Sequence, residues 1–92
     1  MKKGKFYIQF KDRVELKEGY IEDGVGYDKR GKKWYATDIN SGMICSPKQT
    51  KTLKEAKEEY LKNVDKVVEY KLTDAYKMMC EKLSEKIDLI RW

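Results

Sequence analysis

The chain contains no histidine, so it lacks the side chain that most often serves as a general base at neutral pH. The serine–histidine and cysteine–histidine nucleophile pairs are excluded for the same reason. Two cysteines, Cys45 and Cys80, are too few for a disulfide framework or a zinc site. The carboxylates show no spacing typical of a metal loop or an acid–base pair. We therefore expect a protein that is not an enzyme and that uses no cofactor and no metal.

Long apolar runs are also missing. No segment approaches the roughly 20 apolar residues that a membrane-spanning helix needs. The lysines near the start are followed by the alternating segment KFYIQF rather than by the apolar core of a signal peptide. Together with the low cysteine content, these absences predict a cytoplasmic protein with no membrane partner.

Proline and glycine, the residues that interrupt regular secondary structure, are confined to about the first half of the chain. The single proline, Pro47, and all six glycines lie at or before position 47. A chain of 92 residues is long enough for one domain. We predict a single domain with a basic, β-rich part at residues 1–51 and a mainly helical part at residues 52–92.

The β-rich part has the alternation of apolar and polar residues that is typical of half-buried strands. Phe6, Ile8 and Phe10 show it most clearly, and the Asn40-Ser41-Gly42 segment has the chemistry of a hairpin turn. The pattern predicts an antiparallel meander of three or four strands over residues 5–46. The clearest candidate strands cover residues 6–10, 14–16, 33–39 and 43–46, and the pattern is weaker at 20–21 and 25–27.

A helix is predicted to begin at Thr52. The segment Thr52-Leu53-Lys54-Glu55 is a capping box, in which the threonine hydroxyl accepts a hydrogen bond from the backbone of the third helical residue. Apolar residues then recur at helical spacing and define one face of the helix. This face comprises Leu53, Ala56, Tyr60, Leu61 and Val64.

The segment 66–72 allows two interpretations. Its β-branched, alternating residues favour an additional strand between the caps Asn63 and Thr73-Asp74. The alternative is one continuous helix over residues 53–90, which implies a coiled-coil partner. Residues 74–90 are predicted to form an amphipathic C-terminal helix in either case. Its predicted buried face comprises Ala75, Met78, Met79, Leu83, Ile87 and Ile90.

The fold class that follows is α+β. It consists of the antiparallel meander, the capped helix, the additional strand at 66–72 and the C-terminal amphipathic helix.

Residues 26–33, which read GYDKRGKK, resemble a Walker A phosphate-binding loop but fail at the last position. Lys33 stands where a hydroxyl must bind magnesium, and a strand-like segment follows where a helix is required. We therefore interpret residues 28–31 as the tip of a basic hairpin rather than as a nucleotide site.

The surplus positive charge lies entirely in the β-rich part. Residues 1–51 carry 12 basic and 7 acidic side chains, whereas residues 52–92 carry 9 of each, which accounts for the net charge of +5. Basic residues next to aromatic rings favour contacts with a nucleic-acid backbone or an acidic protein surface. The competing interpretation is that the lysines maintain solubility and that Trp34 anchors the core. The candidate binding residues are Lys29, Arg30, Lys32, Lys33, Trp34, Tyr35, Lys48 and Lys51.

Residues 31–62 resemble the arm-site DNA-binding domain of phage-type tyrosine integrases. The resemblance covers about a third of the chain and implies a sheet that enters the DNA major groove, followed by a helix. The matching residues are Gly31, Lys32, Trp34, Tyr35, Lys51, Thr52, Glu55 and Ala56. Residues 52–56, which read TLKEA, are also similar to the helix start of the HicB-like antitoxin fold.

These observations predict a non-enzymatic binding protein from a phage or mobile element, acting in the cytoplasm of a bacterial host cell. Its expected partner is nucleic acid or an acidic or nucleoprotein complex, bound through a basic aromatic sheet face. One alternative is a protein-interaction inhibitor, such as an anti-CRISPR-like anti-defence protein or an antitoxin, that occludes a host protein. Another is a homodimeric structural protein that associates through residues 74–90.

Overall fold

The α+β class is confirmed by the computed structural model, which describes residues 1–46 and 48–90. A meander of strands comes first and helices follow, as the distribution of glycine and proline predicts. The elements are β1 Lys2–Gln9, β2 Val14–Glu22, β3 Val25–Arg30, β4 Lys33–Asp38, β5 Met43–Ile44, α1 Leu53–Lys62, α2 Val64–Lys71 and α3 Asp74–Ile90.

The five strands form one antiparallel sheet in the order β1-β2-β3-β4-β5, so each strand pairs with its neighbour in sequence. The predicted turn at Asn40-Ser41-Gly42 joins β4 to β5, and Gly42 has the positive φ of 70° that favours glycine. The Gln9 N–H donates to the Gly42 carbonyl at 2.7 Å. This bond brings the end of β1 against the β4–β5 turn and curls the sheet.

Both faces of the curled sheet carry buried side chains. On one face, Val25, Tyr27 and Ala36 pack against Ala56 of α1 and form the main core cluster. Alternation along β3 places Gly26 on the opposite face. There a Cβ at Gly26 would come within 2.6 Å of the Phe6 ring, so β1 packs closely over β3 because residue 26 has no side chain.

Helix α1 begins as its capping sequence predicts. The Thr52 hydroxyl accepts a hydrogen bond from the Glu55 N–H at 3.1 Å. Ala56 is buried and Tyr60 is half-buried against the core, but Leu61 is exposed. The packed face of α1 is therefore narrower than the predicted apolar face.

The prediction of a strand at 66–72 is wrong, because residues 64–71 form α2. The alternative of one continuous helix is also wrong, since the chain breaks near Asn63 and again at 72–73. The Thr73 hydroxyl accepts from the Tyr76 N–H at 3.2 Å and caps α3. Val64 and Val67 lie one helical turn apart and are both half-buried, so packing on one face stabilises the helix despite its β-branched residues.

Helix α3 is confirmed over Asp74–Ile90, although its predicted buried face is only partly correct. Leu83 is buried, and Met79 and Ile87 are half-buried. The remaining predicted core residues, Ala75, Met78 and Ile90, are exposed. In residues 1–46 and 48–90, no helix combines the length and apolar character that crossing a membrane requires.

Candidate functional site

The hairpin between β3 and β4 turns at Gly31-Lys32 rather than at 28–31. Gly31 has a φ of 63°, the left-handed conformation that this tight turn requires. Asp28 belongs to β3, where it pairs with Tyr35, and it is only 2% exposed. The predicted tip is thus displaced toward the C-terminus, and Lys32 and Lys33 are exposed at the turn.

A second basic segment lies beside this hairpin. The Trp34 N–H donates to the Thr50 carbonyl at 2.7 Å, and the Thr50 N–H donates to the Trp34 carbonyl at 3.2 Å. This antiparallel bridge holds the chain around Thr50 along the edge of β4. It places Lys51 on the side toward Lys33.

The lysines predicted for the site lie on the β3–β4 hairpin and on the segment around Thr50, and we call them the basic edge. All of them are exposed, and none makes an ion pair with any residue in the described ranges. Their charges are therefore available to a partner. The basic edge comprises Lys29, Lys32, Lys33, Lys48 and Lys51.

Arg30 is held away from this edge. Its Nε donates to Asp28 Oδ2 at 2.8 Å, and its guanidinium lies 4.4 Å from the centre of the Tyr35 ring. Asp28 is buried, so the pair is largely removed from solvent. The guanidinium therefore balances a buried carboxylate and stacks on Tyr35, which leaves little of it for an external phosphate.

The two predicted aromatic residues also make internal contacts. Trp34 is half-buried, packs against the main core cluster and lies 6.3 Å from the Tyr20 ring. Tyr35 carries the Arg30 guanidinium on its face. The predicted lysines are thus exposed, but these rings do not form an open platform for stacking bases.

At the other end of β4, Asp38 is a buried acceptor that sequence reasoning missed. Its Oδ2 accepts from the Ser41 N–H at 3.1 Å, from the Ser41 hydroxyl at 2.9 Å and from the Tyr76 hydroxyl at 2.8 Å. Its Oδ1 lies 3.4 Å from Lys71 Nζ but accepts no well-aligned hydrogen bond within residues 1–46 and 48–90. Asp38 thus joins the β4–β5 turn, α2 and α3.

Asp38 lines a cleft between β5 and α2, which we call the Asp38 cleft. Its volume is about 380 Å³, and it is lined largely by apolar surface from Met43, Ile44, Val67 and Tyr70. Lys66 and Lys71 also line it. The volume lies within the range of roughly 300–1,000 Å³ that is usual for small-molecule sites.

Cys45 and Tyr76, which lie in the same region, are not poised for proton transfer or nucleophilic attack. Burial, reinforced by the Asp38 charge, raises the pKa of the Cys45 thiol to about 12. Burial and the hydrogen bond to Asp38 raise the pKa of Tyr76 above its usual value. Both groups are therefore protonated near neutral pH.

Part of the Asp38 arrangement has a sequence signal. An aspartate at the end of a strand, followed by Asn40-Ser41-Gly42, is typical of a turn in which the carboxylate accepts from the backbone. The contact with Tyr76 has no such signal, because 38 residues separate it from Asp38.

Comparisons with protein-family models, with curated protein sequences and with solved structures found no match to this chain. The resemblances to the integrase arm-site domain and to the HicB-like fold therefore stay predictions from short sequence motifs.

Proposed function

We propose that this protein is a non-enzymatic nucleic-acid-binding module that holds the phosphate backbone with its basic edge. The observation that carries the proposal is the Trp34–Thr50 bridge. It brings two basic segments that are separated in sequence next to each other, and their exposed lysines have no acidic partner in the described ranges. Such a surface attracts polyanions over a distance set by the ionic strength.

The chemistry of the basic edge favours phosphates over bases. Lysine is a compact, hydrated point charge that suits phosphate but lacks the fixed fork with which arginine recognises guanine. The one arginine of the hairpin, Arg30, is paired with Asp28. Trp34 and Tyr35 are occupied by internal contacts. We therefore expect binding with little dependence on nucleotide sequence.

The salt dependence of binding tests this proposal. We expect the affinity for a short DNA duplex to fall steeply with salt, because each neutralised phosphate contributes a slope of about 0.9 in the plot of log K against log salt. The triple variant Lys29→Glu, Lys32→Glu, Lys33→Glu should lose most of this binding. Fluorescence anisotropy across a salt series measures both effects.

A matched control separates local charge from net charge. The variant Lys62→Glu, Lys77→Glu, Lys82→Glu changes the net charge equally, but its exposed lysines lie on α1 and α3. It should retain most of the affinity. Equal losses in the two variants, or no binding to DNA or RNA at low salt, would refute the proposal.

A second candidate function is protein binding through α2 and α3. It is favoured by exposed apolar side chains on these helices and in the loop between them, where Leu89 of α3 is 75% and Leu72 of the loop is 81% exposed. The partner would be a host protein that this chain occludes, as an anti-CRISPR-like inhibitor or an antitoxin does, or a second copy bound through residues 74–90. Sedimentation detects the dimer. Capture of one stoichiometric protein from nuclease-treated lysate, lost on Leu72→Glu, supports the inhibitor.

A further inference from the structure

We propose that the Asp38 cleft binds a nucleobase-containing ligand, with an N–H of the base donating to Asp38 Oδ1 and an anionic group held by Lys66. This site lies at the end of β4 opposite Lys33, which belongs to the basic edge. The inference does not depend on nucleic-acid binding at that edge.

The unused acceptor is the first observation that points to a ligand. Asp38 is only 4% exposed, and three donors reach its Oδ2. Its Oδ1 has the Lys71 ammonium at 3.4 Å as an ion pair but receives no aligned hydrogen bond within the described residues. Oδ1 therefore has the capacity to accept a hydrogen bond from a ligand N–H in the cleft.

The walls of the cleft are the second observation. Met43 and Ile44 come from β5, whereas Val67 and Tyr70 come from α2. Two separate elements can therefore contact the two faces of a flat ring. The Tyr76 ring lies edge-on to the Tyr70 ring, with 5.7 Å between the ring centres and 76° between the planes. This contact orients a tyrosine against which a heteroaromatic base can pack.

The charged side chains at the cleft indicate which charge the ligand carries. Lys71 already balances Asp38, so the ligand needs no positive charge. Lys66 is exposed, lines the cleft and makes no ion pair with any described residue. A purine nucleotide meets these conditions, because its amino or ring N–H donates while its phosphate is anionic.

Adenosine and guanosine monophosphates are the probes, and backbone amide shifts in two-dimensional NMR are the readout. We expect at least one nucleotide to shift the amides of Ser41, Cys45 and Val67. The corresponding nucleoside should bind more weakly, since it lacks the phosphate. No shift around the cleft with any probe would overturn the proposal.

The variant Asp38→Asn tests the acceptor without changing its shape. The asparagine carbonyl should take the place of Oδ2, because three donors converge there. The NH₂ group then replaces Oδ1 and presents a donor to a ligand that also donates. We expect affinity to fall by about ten-fold to a hundred-fold, in line with loss of a hydrogen bond to a charged group. Unchanged affinity would overturn the assignment of Oδ1.

Two adjacent valines provide a control that does not depend on charge. Val67 lines the cleft, whereas Val68 is exposed and lies outside its lining. Val67→Trp should fill the cleft and abolish nucleotide binding, and Val68→Trp should leave it intact. Equal effects of the two substitutions would contradict a site in the cleft.

The base can come from a free nucleotide or from an unpaired position in a strand. A mononucleotide and a short single-stranded oligonucleotide distinguish these sources when both are added to the Lys29→Glu, Lys32→Glu, Lys33→Glu variant. Cleft shifts with the mononucleotide indicate a free ligand, and shifts with the oligonucleotide alone indicate an unpaired base. Asp38→Asn should leave the salt-dependent binding of duplex DNA unchanged, so failure at one site is distinguishable from failure at the other.

Discussion

The sheet and the helices place their apolar side chains differently. Most of the fully buried apolar residues lie in β1, β3 and β4, whereas Ala56 and Leu83 are the buried apolar residues of the described helical segments. Helix α2 contains no buried residue. The large apolar side chains that the helices and the loop between α2 and α3 expose are Leu61, Val68, Tyr70, Leu72, Met78, Leu89 and Ile90.

This difference shows where the stability of the domain resides. The curled sheet packs side chains on both of its faces, and α1 covers one of them. Helices α2 and α3 touch the remainder of the protein along narrow stripes and leave apolar surface available to a partner. The sheet therefore holds most of the core, while α2 and α3 contribute little to it.

Among the substitutions that test this difference, that of Tyr27 should change the free energy of unfolding most. Tyr27→Ala removes a ring that is 2% exposed at the centre of the main core cluster, and should lower the free energy of unfolding by about 4 kcal/mol. Leu72→Ala in the exposed loop between α2 and α3 should change it by less than about 0.5 kcal/mol. Urea denaturation measures both values. Comparable losses would mean that the helical part is as tightly packed as the sheet.

Leu83 is the buried side chain through which α3 packs against the rest of the protein. Leu83→Ala should cost about 2–3 kcal/mol, because this side chain is buried against the β4–β5 turn near Gly42. Leu89→Ala, in the same helix but exposed, is the matched control and should be nearly neutral. If both substitutions were neutral in thermal and urea denaturation, α3 would not contribute to the stability of the sheet.

A hydrogen bond from Tyr76 of α3 to Asp38 of β4 makes a smaller contribution to the packing of the helices on the sheet. Tyr76→Phe removes the hydroxyl that donates to Asp38 Oδ2 and should cost about 1.5–2 kcal/mol, as is usual for a bond to a charged group. Tyr70→Phe is the control, since its ring lies edge-on to Tyr76 and its hydroxyl makes no hydrogen bond with the described residues. Equal unfolding free energies for the two variants would contradict a stabilising role for this contact.

The smallest effect should come from the surface contact between β2 and α1. Lys57 Nζ lies 2.7 Å from Glu22 Oε2, and this hydrogen-bonded ion pair lowers the pKa of Glu22 from its ordinary value of 4.5. A lowered carboxyl pKa adds stability that is present above 4.5 and is lost as the pH falls through the folded-state pKa.

Denaturation of the wild type and of Glu22→Gln at pH 7 and pH 3 measures this contribution. The difference in unfolding free energy between them should be small at pH 7, because both side chains are partly exposed to solvent, and should shrink on acidification. Glu18→Gln is the control, since Glu18 is exposed and unpaired in the described ranges. A difference that grows at pH 3 would contradict the direction assigned to Glu22.

Local signals in the sequence predicted much of the fold. Turn chemistry around Gly42 and the capping box at Thr52 depend on a few adjacent residues, and the structure has both features. The strand predicted at 66–72 failed because β-branched residues favour strands only weakly, and the partial burial of Val64 and Val67, one helical turn apart, outweighs that preference.

The sequence predicted which residues of the candidate site are charged. It did not predict which of these charges are already paired within the protein. The lysines of the basic edge followed from composition. The pairing of Arg30 with Asp28 could have been inferred, because residues two apart in a strand share a face. Assigning Asp28 to a turn concealed that signal. The Asp38 cleft depends on Tyr76 and Lys71, which approach Asp38 only after the helices pack.

The consecutive strand order has a consequence for how the chain folds. Each hairpin closes a short loop, so the sheet can assemble one strand at a time during synthesis, with a small loss of chain entropy at each step. The contacts of Lys86 with Gln9 and Phe10 join residues more than 70 positions apart and can form only after α3 has emerged from the ribosome. Docking of α3 therefore closes a far longer loop than any hairpin of the sheet and costs more chain entropy.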